Sequence, residues 1–277
     1  MQLAVTMVKE APEQVPLVLR GDYAGSIELA ARIGYDAVEL HVADPAEVDA
    51  GQILDACQTS GLTVSSIGTG LASVRDGLTL TCQEEGVRQR AIDRLQEFIR
   101  LGSELGAVVI VGLIKGMARD CRGRTEYKRH LTAALKECLA VAQESGVTLV
   151  LEAMNRYESD VLNTIDECVR YIEGFTSERL KLHIDTYHMN IEEDRIGRNI
   201  VAAANHIGHV HIADSNRAYP GLGHYNFAET IAALNAAGYD GALAVECLAR
   251  PTAEQAARES FEFLRGALMA KLSGQPG

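Results

Sequence analysis

Eight short apolar runs punctuate the chain. They are "LAVTMV" from Leu3, "AVELHV" from Ala37, "TVSSIG" from Thr63, "AVVIVGL" from Ala107, "TLVLEAM" from Thr148, "LKLHIDT" from Leu180, "GHVHIAD" from Gly208 and "ALAVECL" from Ala242. Several are continuously apolar instead of alternating, as strands covered on both faces are. Between them, apolar residues recur at three- and four-residue steps. "SIELAARIGY" sets Ile27, Ala30, Ala31 and Ile33 on one side, and "EEGVRQRAIDRLQEFIRLGSELG" and "RHLTAALKECLAVAQESG" each end at glycine, a helix-stop signal. Strands alternating with helices predict right-handed βαβ units and a parallel sheet. A chain of 277 residues suits one barrel of eight such units. The expectation is therefore a single (β/α)8 TIM-barrel domain over residues 1–277. The open-sheet alternative loses its usual support, because no nucleotide-binding glycine fingerprint follows the first strand and no phosphate-loop motif appears.

Charge and cysteine usage narrow the partners. The net charge of −12 disfavours a nucleic-acid or anionic-membrane surface, since both require basic patches. The longest apolar stretch, "GAVVIVGLI", is too short to span a bilayer. The N-terminus lacks the basic start and apolar core of a signal peptide. Six cysteines show no C-x-x-C pair, which fits reduced thiols in a cytoplasmic protein.

The polar residues that interrupt the later runs carry the chemistry. Glu152, Asp185, His211 and Glu246 stand near the ends of the fifth to eighth runs, where a barrel of this kind builds its active site. Each alone reads as a helix cap or a salt-bridge partner. Together, four groups on successive strand ends read as a metal site, because buried carboxylates must be paired or metal-bound. Three carboxylates and one imidazole suit Mn²⁺ or Mg²⁺, with Co²⁺ or Zn²⁺ able to bind. His183 and His209 fall one layer deeper and read as hydrogen-bonded core histidines, although H-x-H is also a metal spacing. Met117, Met154 and Met189 read as packing. Glu158, His188 and Arg217 follow these strands as polar loop residues. Gly68–Gly70 permit a close approach by a ligand or another backbone, or simply a turn. Few of the eight histidines lie at strand ends.

The segments "EAMNRYESD", "HIDTYHMNIEE", "HIADSNRAYPGLGHYNF" and "VECL" resemble the ketose 3-epimerase branch of the xylose isomerase-like TIM-barrel superfamily, which includes D-tagatose and D-psicose (allulose) 3-epimerases. With "IGTGLASVRDGLTLT" and "VGLIKGMARD", the likeness is nearest to the 5-keto-L-gluconate epimerase subgroup. The resemblance implies that Glu152, Asp185, His211 and Glu246 hold a divalent metal, usually Mn²⁺. It implies that Glu152 and Glu246 are also the catalytic acid/bases, and that Glu158, His188 and Arg217 contact substrate. It further implies a homodimer or homotetramer.

Such an enzyme inverts C3 of a ketose or ketonic uronate. One glutamate deprotonates, the other reprotonates, and the metal stabilises the enediolate between. A uronate carboxylate needs a cation, for which Lys115 and Arg119 are candidates. Rival readings are an aldose–ketose isomerase such as a hydroxypyruvate isomerase, an inosose dehydratase-like lyase, a non-enzymatic sugar-binding barrel and, remotely, an apurinic endonuclease-type nuclease.

Overall fold

A computed structural model describes residues 1–272. Its strands are β1 (Gln2–Val8), β2 (Leu19–Arg20), β3 (Ala37–His41), β4 (Thr63–Gly68), β5 (Val108–Val111), β6 (Leu149–Glu152), β7 (Leu180–Asp185), β8 (Ile207–Ile212) and β9 (Ala242–Val245). All pairings are parallel, and β1 pairs with both β3 and β9, which closes the sheet into a barrel. Around it lie α1 (Tyr23–Ile33), α2 (Ala50–Ser60), α3 (Gly70–Asp76), α4 (Glu85–Leu105), α5 (Arg124–Ser145), α6 (Ile165–Ile172), α7 (Thr186–Glu192), α8 (Ile196–Ala202), α9 (Phe227–Ala236) and α10 (Ala253–Leu272). The expected glycine stops are present: Gly34, Gly61, Gly106 and Gly146 end α1, α2, α4 and α5 in the left-handed conformation that glycine adopts without strain. Among the described residues, no helix is long and apolar enough to cross a membrane.

Eight strands match the apolar runs; β2 does not. Two residues carry no readable period, and β2 exists because β9 stops early. β9 pairs with β1 only as far as Val5, whereas β2 pairs with Met7 and Val8. Thr6 stitches the junction: its hydroxyl accepts the Val18 N–H and donates to the Val245 carbonyl, both at 3.0 Å. The Arg20 guanidinium then donates to the carbonyls of Ala11, Val15 and Leu17. These bonds hold Val15–Leu17 across the C-terminal rim of the barrel.

Alternation along β3 shows how the interior is filled. Val38 and Leu40 join the main apolar cluster, whereas Ala37 packs with Ala4, Ala242 and Ala244 in a separate floor of small side chains. Above that floor the interior turns polar. Thr6, Glu39, Ser66, His183 and Asp185 are all wholly buried. Such barrels are normally filled with branched apolar side chains. A buried carboxylate costs several kcal/mol unless it is well paired, so Glu39 and Asp185 demand partners.

Candidate metal and substrate site

Glu152 ends β6, Asp185 ends β7, His211 sits one residue inside the end of β8, and Glu246 follows β9. None is more than 9% exposed. Donor atoms of Glu152, Asp185 and His211 lie within 4.8 Å of one another, and Glu246 Oε2 is 3.4 Å from His211 Nδ1. Arg217 ties the two sides together. Its Nη1 donates to Asp185 Oδ2 at 2.7 Å and its Nη2 to Glu246 Oε2. Asp185 serves both of the roles that its position suggests: Oδ1 caps α7 by accepting the Tyr187 N–H at 2.7 Å, while Oδ2 faces Arg217.

His211 is oriented from behind by Glu39, a residue that the sequence reading passed over. His211 Nε2 donates to Glu39 Oε1 at 2.7 Å, which leaves Nδ1 turned toward Glu246, buried and without a hydrogen bond. A histidine with a carboxylate behind it and a free nitrogen among carboxylates has the arrangement of a metal ligand. The residues therefore fit a hard divalent cation.

Glu39 also accepts from His41 Nε2 at 2.6 Å, His209 Nε2 at 2.7 Å and Ser66 Oγ. Four donors fill the roughly four lone-pair sites that a carboxylate offers. Burial acts to raise the Glu39 pKa, but the His211 charge and the histidine hydrogen bonds outweigh it and hold the carboxyl well below its usual range. From the other side, burial acts to lower His211, and Glu39 and Glu246 overcome this and push it well above its usual value.

The core-histidine expectation holds for His209 and fails in part for His183. His183 is wholly buried, but both ring nitrogens lack a hydrogen bond. Its ring instead lies edge-on to His211 and His209, at centroid distances of 4.1 and 5.1 Å. Burial and the neighbouring histidines push its pKa well down. Few of the eight histidines lie at strand ends, as expected, with His41 ending β3 and His211 one residue inside the end of β8; His183 and His209 add two deeper imidazoles inside the barrel.

The substrate-contact candidates converge on the same mouth. Glu158, His188 and Arg217 line one cavity with Glu152, His211 and Glu246. Asn155 orders them. Its Oδ1 accepts the Tyr157 N–H, which turns Nδ2 to donate to Glu158 Oε1 at 2.9 Å and His188 Nδ1 at 2.7 Å. His188 Nε2 then carries the ring proton and points toward Glu152 Oε1, 3.4 Å away. Burial acts to lower the His188 pKa; Asp185 and Glu152 outweigh it, and the net shift is upward.

Arg217 is not the solvated loop residue that spacing alone allows. It has a left-handed φ of 62°, unusual for a side chain of its size, and its guanidinium stacks 4.7 Å from the Tyr187 ring. The loop that holds it is built on Asp214, whose carboxylate accepts backbone N–H groups from Ser215, Gly221 and Tyr225. Burial raises the Asp214 pKa, but these bonds outweigh it and the net shift is downward. The stability this contributes is full above the ordinary aspartate value of about 4 and is lost as pH falls through the lower folded value. Asp214→Asn is thus expected to melt several degrees below the parent at pH 6. The gap should narrow steadily below about pH 4 in thermal scans; a gap indifferent to pH contradicts this role.

Two glycines are explained by side chains. A β-carbon at Gly68 would lie 2.2 Å from the His41 ring, so the close approach expected there is to an imidazole. A β-carbon at Gly112 would lie 2.2 Å from Glu152 Oε2. Gly112→Ala must displace that carboxylate, and an activity loss of about 10²-fold is expected from a misplacement near 1 Å, measurable as kcat/KM.

Neither Lys115 nor Arg119 lines the mouth cavity, although Glu152 and Glu158, which do, act on the buried Lys115 ammonium. Lys115 is 1% exposed, with its ammonium buried and unpaired, and Arg119 lies on the outside. The short helical turn Leu113–Lys115 that follows β5 carries Leu113, not Lys115, to the cavity. Met189 is core as expected, whereas Met154 is buried yet lines the mouth.

A barrel with this polar rim defines the class. The chain belongs to the xylose isomerase-like TIM-barrel family, whose model matches residues 27–267. Several curated relatives are named epimerases. The chain is 37% identical over 216 residues to L-ribulose 3-epimerase of Mesorhizobium japonicum, covering 77% of this chain and 71% of that one. It is 32% identical over 239 residues to L-ribulose 3-epimerase of a Methylomonas species, covering 83% and 82%. A solved structure of L-ribulose 3-epimerase matches with a TM-score of 0.83 and 27% identity over 99% of this chain and 98% of that chain. The chain is an enzyme of the isomerase class.

Proposed function

We propose that this protein inverts C3 of a small, neutral ketose, with Glu152 and Glu246 as its two acid–base groups. The observation that carries the proposal is the placement of these glutamates. They come from β6 and from the end of β9, flank Asp185 and His211, and line one cavity. Inverting a carbon next to a ketone requires a proton to leave one face and return to the other, so one base per face is needed. Glu152 and Glu246 exchange roles when the reaction runs backward.

Glu152, Asp185, His211 and Glu246 would hold the divalent ion, Mn²⁺ by preference with Mg²⁺ or Co²⁺ as alternatives, which when bound polarises the ketone and offsets the negative charge formed on deprotonation. Arg217 presents a permanent positive charge to the same oxygens. His188 donates its Nε2 proton to a substrate oxygen, held in place by Asn155 and Glu158.

A neutral sugar is favoured over a ketonic uronate. Arg217 is the one Lys or Arg among the described residues lining the mouth, and it already serves two carboxylates. Much of the remaining wall is aliphatic: Val15, Pro16, Leu17, Leu71, Val74 and Leu113. The test is to incubate Mn²⁺-loaded enzyme with ketopentoses, ketohexoses and ketonic uronates, and to identify products by chromatography against authentic C3 epimers. The expected result is a C3 epimer from a neutral ketose. Turnover confined to uronates would overturn the substrate class, and an aldose product would favour the isomerase reading.

A further inference from the structure

We propose that His41 is a substrate-specificity residue: its imidazole Nδ1 accepts a hydrogen bond from a sugar hydroxyl that Arg217 and His188 do not serve. The inference rests on the ketose reading above. His41 ends β3, and its side chain is 8% exposed. Nε2 is bonded at 2.6 Å to Glu39, a carboxylate that can only accept, so Nε2 carries a proton. Nδ1 has no hydrogen bond, and the residue lines the same cavity as Glu152, Glu158, His188, Arg217 and Glu246.

Within that cavity His41 is the one uncommitted polar side chain on its part of the wall; an adjoining cavity that shares His41, Leu71 and Val74 adds Lys9, Glu10 and Tyr23 beyond it. The His41 neighbours Val15, Leu17, Leu71 and Leu113 are aliphatic, and the Thr69 hydroxyl is spent on the Ile110 carbonyl at 2.7 Å. Glu39 holds the ring through Nε2, and the ring fills the space that a side chain at Gly68 would occupy. Its centroid lies 6.4 Å from that of His211, a separation that a pentose or hexose chain spans. One buried carboxylate, which also binds His209, thus orients His211 toward the acidic cluster and His41 toward the cavity. A site built to bond a hydroxyl discriminates against an analogue that lacks it, because the buried nitrogen is then left unpaired.

Donor atoms of Glu39, His41, His211 and Glu246 also lie within 4.8 Å of one another, so a cation-ligand role is the competing assignment. The experiment compares the parent, His41→Phe and His41→Gln on a ketohexose that the enzyme turns over and on its 4-, 5- and 6-deoxy analogues. Mn²⁺ affinity is measured in parallel by calorimetry. His41→Phe is expected to weaken kcat/KM for the parent sugar about tenfold, the loss falling more on KM than on kcat. It should spare one deoxy analogue, keep parental Mn²⁺ affinity and be largely rescued by His41→Gln. Equal losses on the sugar and every analogue overturn the proposal, as does Mn²⁺ affinity lost with the side chain. If His41→Phe does not fold, His41→Gln against the deoxy series gives the same decision. Parent enzyme inert on every ketose refutes the function itself, a result distinct from an indifferent His41.

Discussion

Glu152→Gln and Glu246→Gln are each expected to lower kcat by about 10³-fold in the metal-saturated enzyme. Glutamine keeps the shape of glutamate and can still accept from Arg217 or His188, so the cavity survives while one face of C3 loses its base. Each variant should be slowed in both directions, because in the proposed reaction each direction uses both groups. Each retains one base, however, and that base can still exchange the C3 proton of one epimer with solvent. Glu152→Gln and Glu246→Gln should therefore label opposite epimers. Collapse of the site would remove exchange in both, so this pattern separates lost chemistry from lost structure.

Removing divalent metal is expected to abolish turnover, and adding Mn²⁺ to restore it. The electrostatics supply the reason. Glu152, Asp185 and Glu246 gather around His211, and Arg217 bridges Asp185 and Glu246 but not Glu152. The free His211 Nδ1 completes the donor set. A ligand at 1,000 times its Kd stabilises the folded state by about 4 kcal/mol, which for a chain of this size raises Tm by roughly 10 °C. Protons compete for the same donors, so the shift should shrink as pH falls. Thermal melts with chelator and with graded Mn²⁺ check both statements; a Tm indifferent to Mn²⁺ and full activity in chelator contradict them.

Much of the barrel and its rim can be read from the chain, for one physical reason. Strands buried on both faces are apolar throughout, so Glu152 in "LVLEAM" or Asp185 in "LHIDT" stands out against its neighbours. Glu39 in "AVELHV" has the same local appearance, yet it stands inside its run and nothing nearby in the sequence marks it as more than a strand residue. Its role depends on His209 and His211, which are 170 and 172 residues away and meet it only across the closed barrel. His41, bonded to Glu39, is illegible for the same reason. Asn155 and Asp214 act through backbone and side-chain bonds that no spacing announces. Lys115 and Arg119 stay off the cavity lining for a different reason: nearness in sequence to a strand end says nothing about which residue of the following turn faces the mouth.

The most direct test follows the proton. Metal-loaded enzyme is incubated with a ketose it turns over in deuterated water, and the product epimer is examined by NMR. The account requires one solvent deuterium at C3 of the inverted sugar, delivered as epimer accumulates. Inversion without deuterium at C3, or deuterium placed at C1 with an aldose formed, would contradict it.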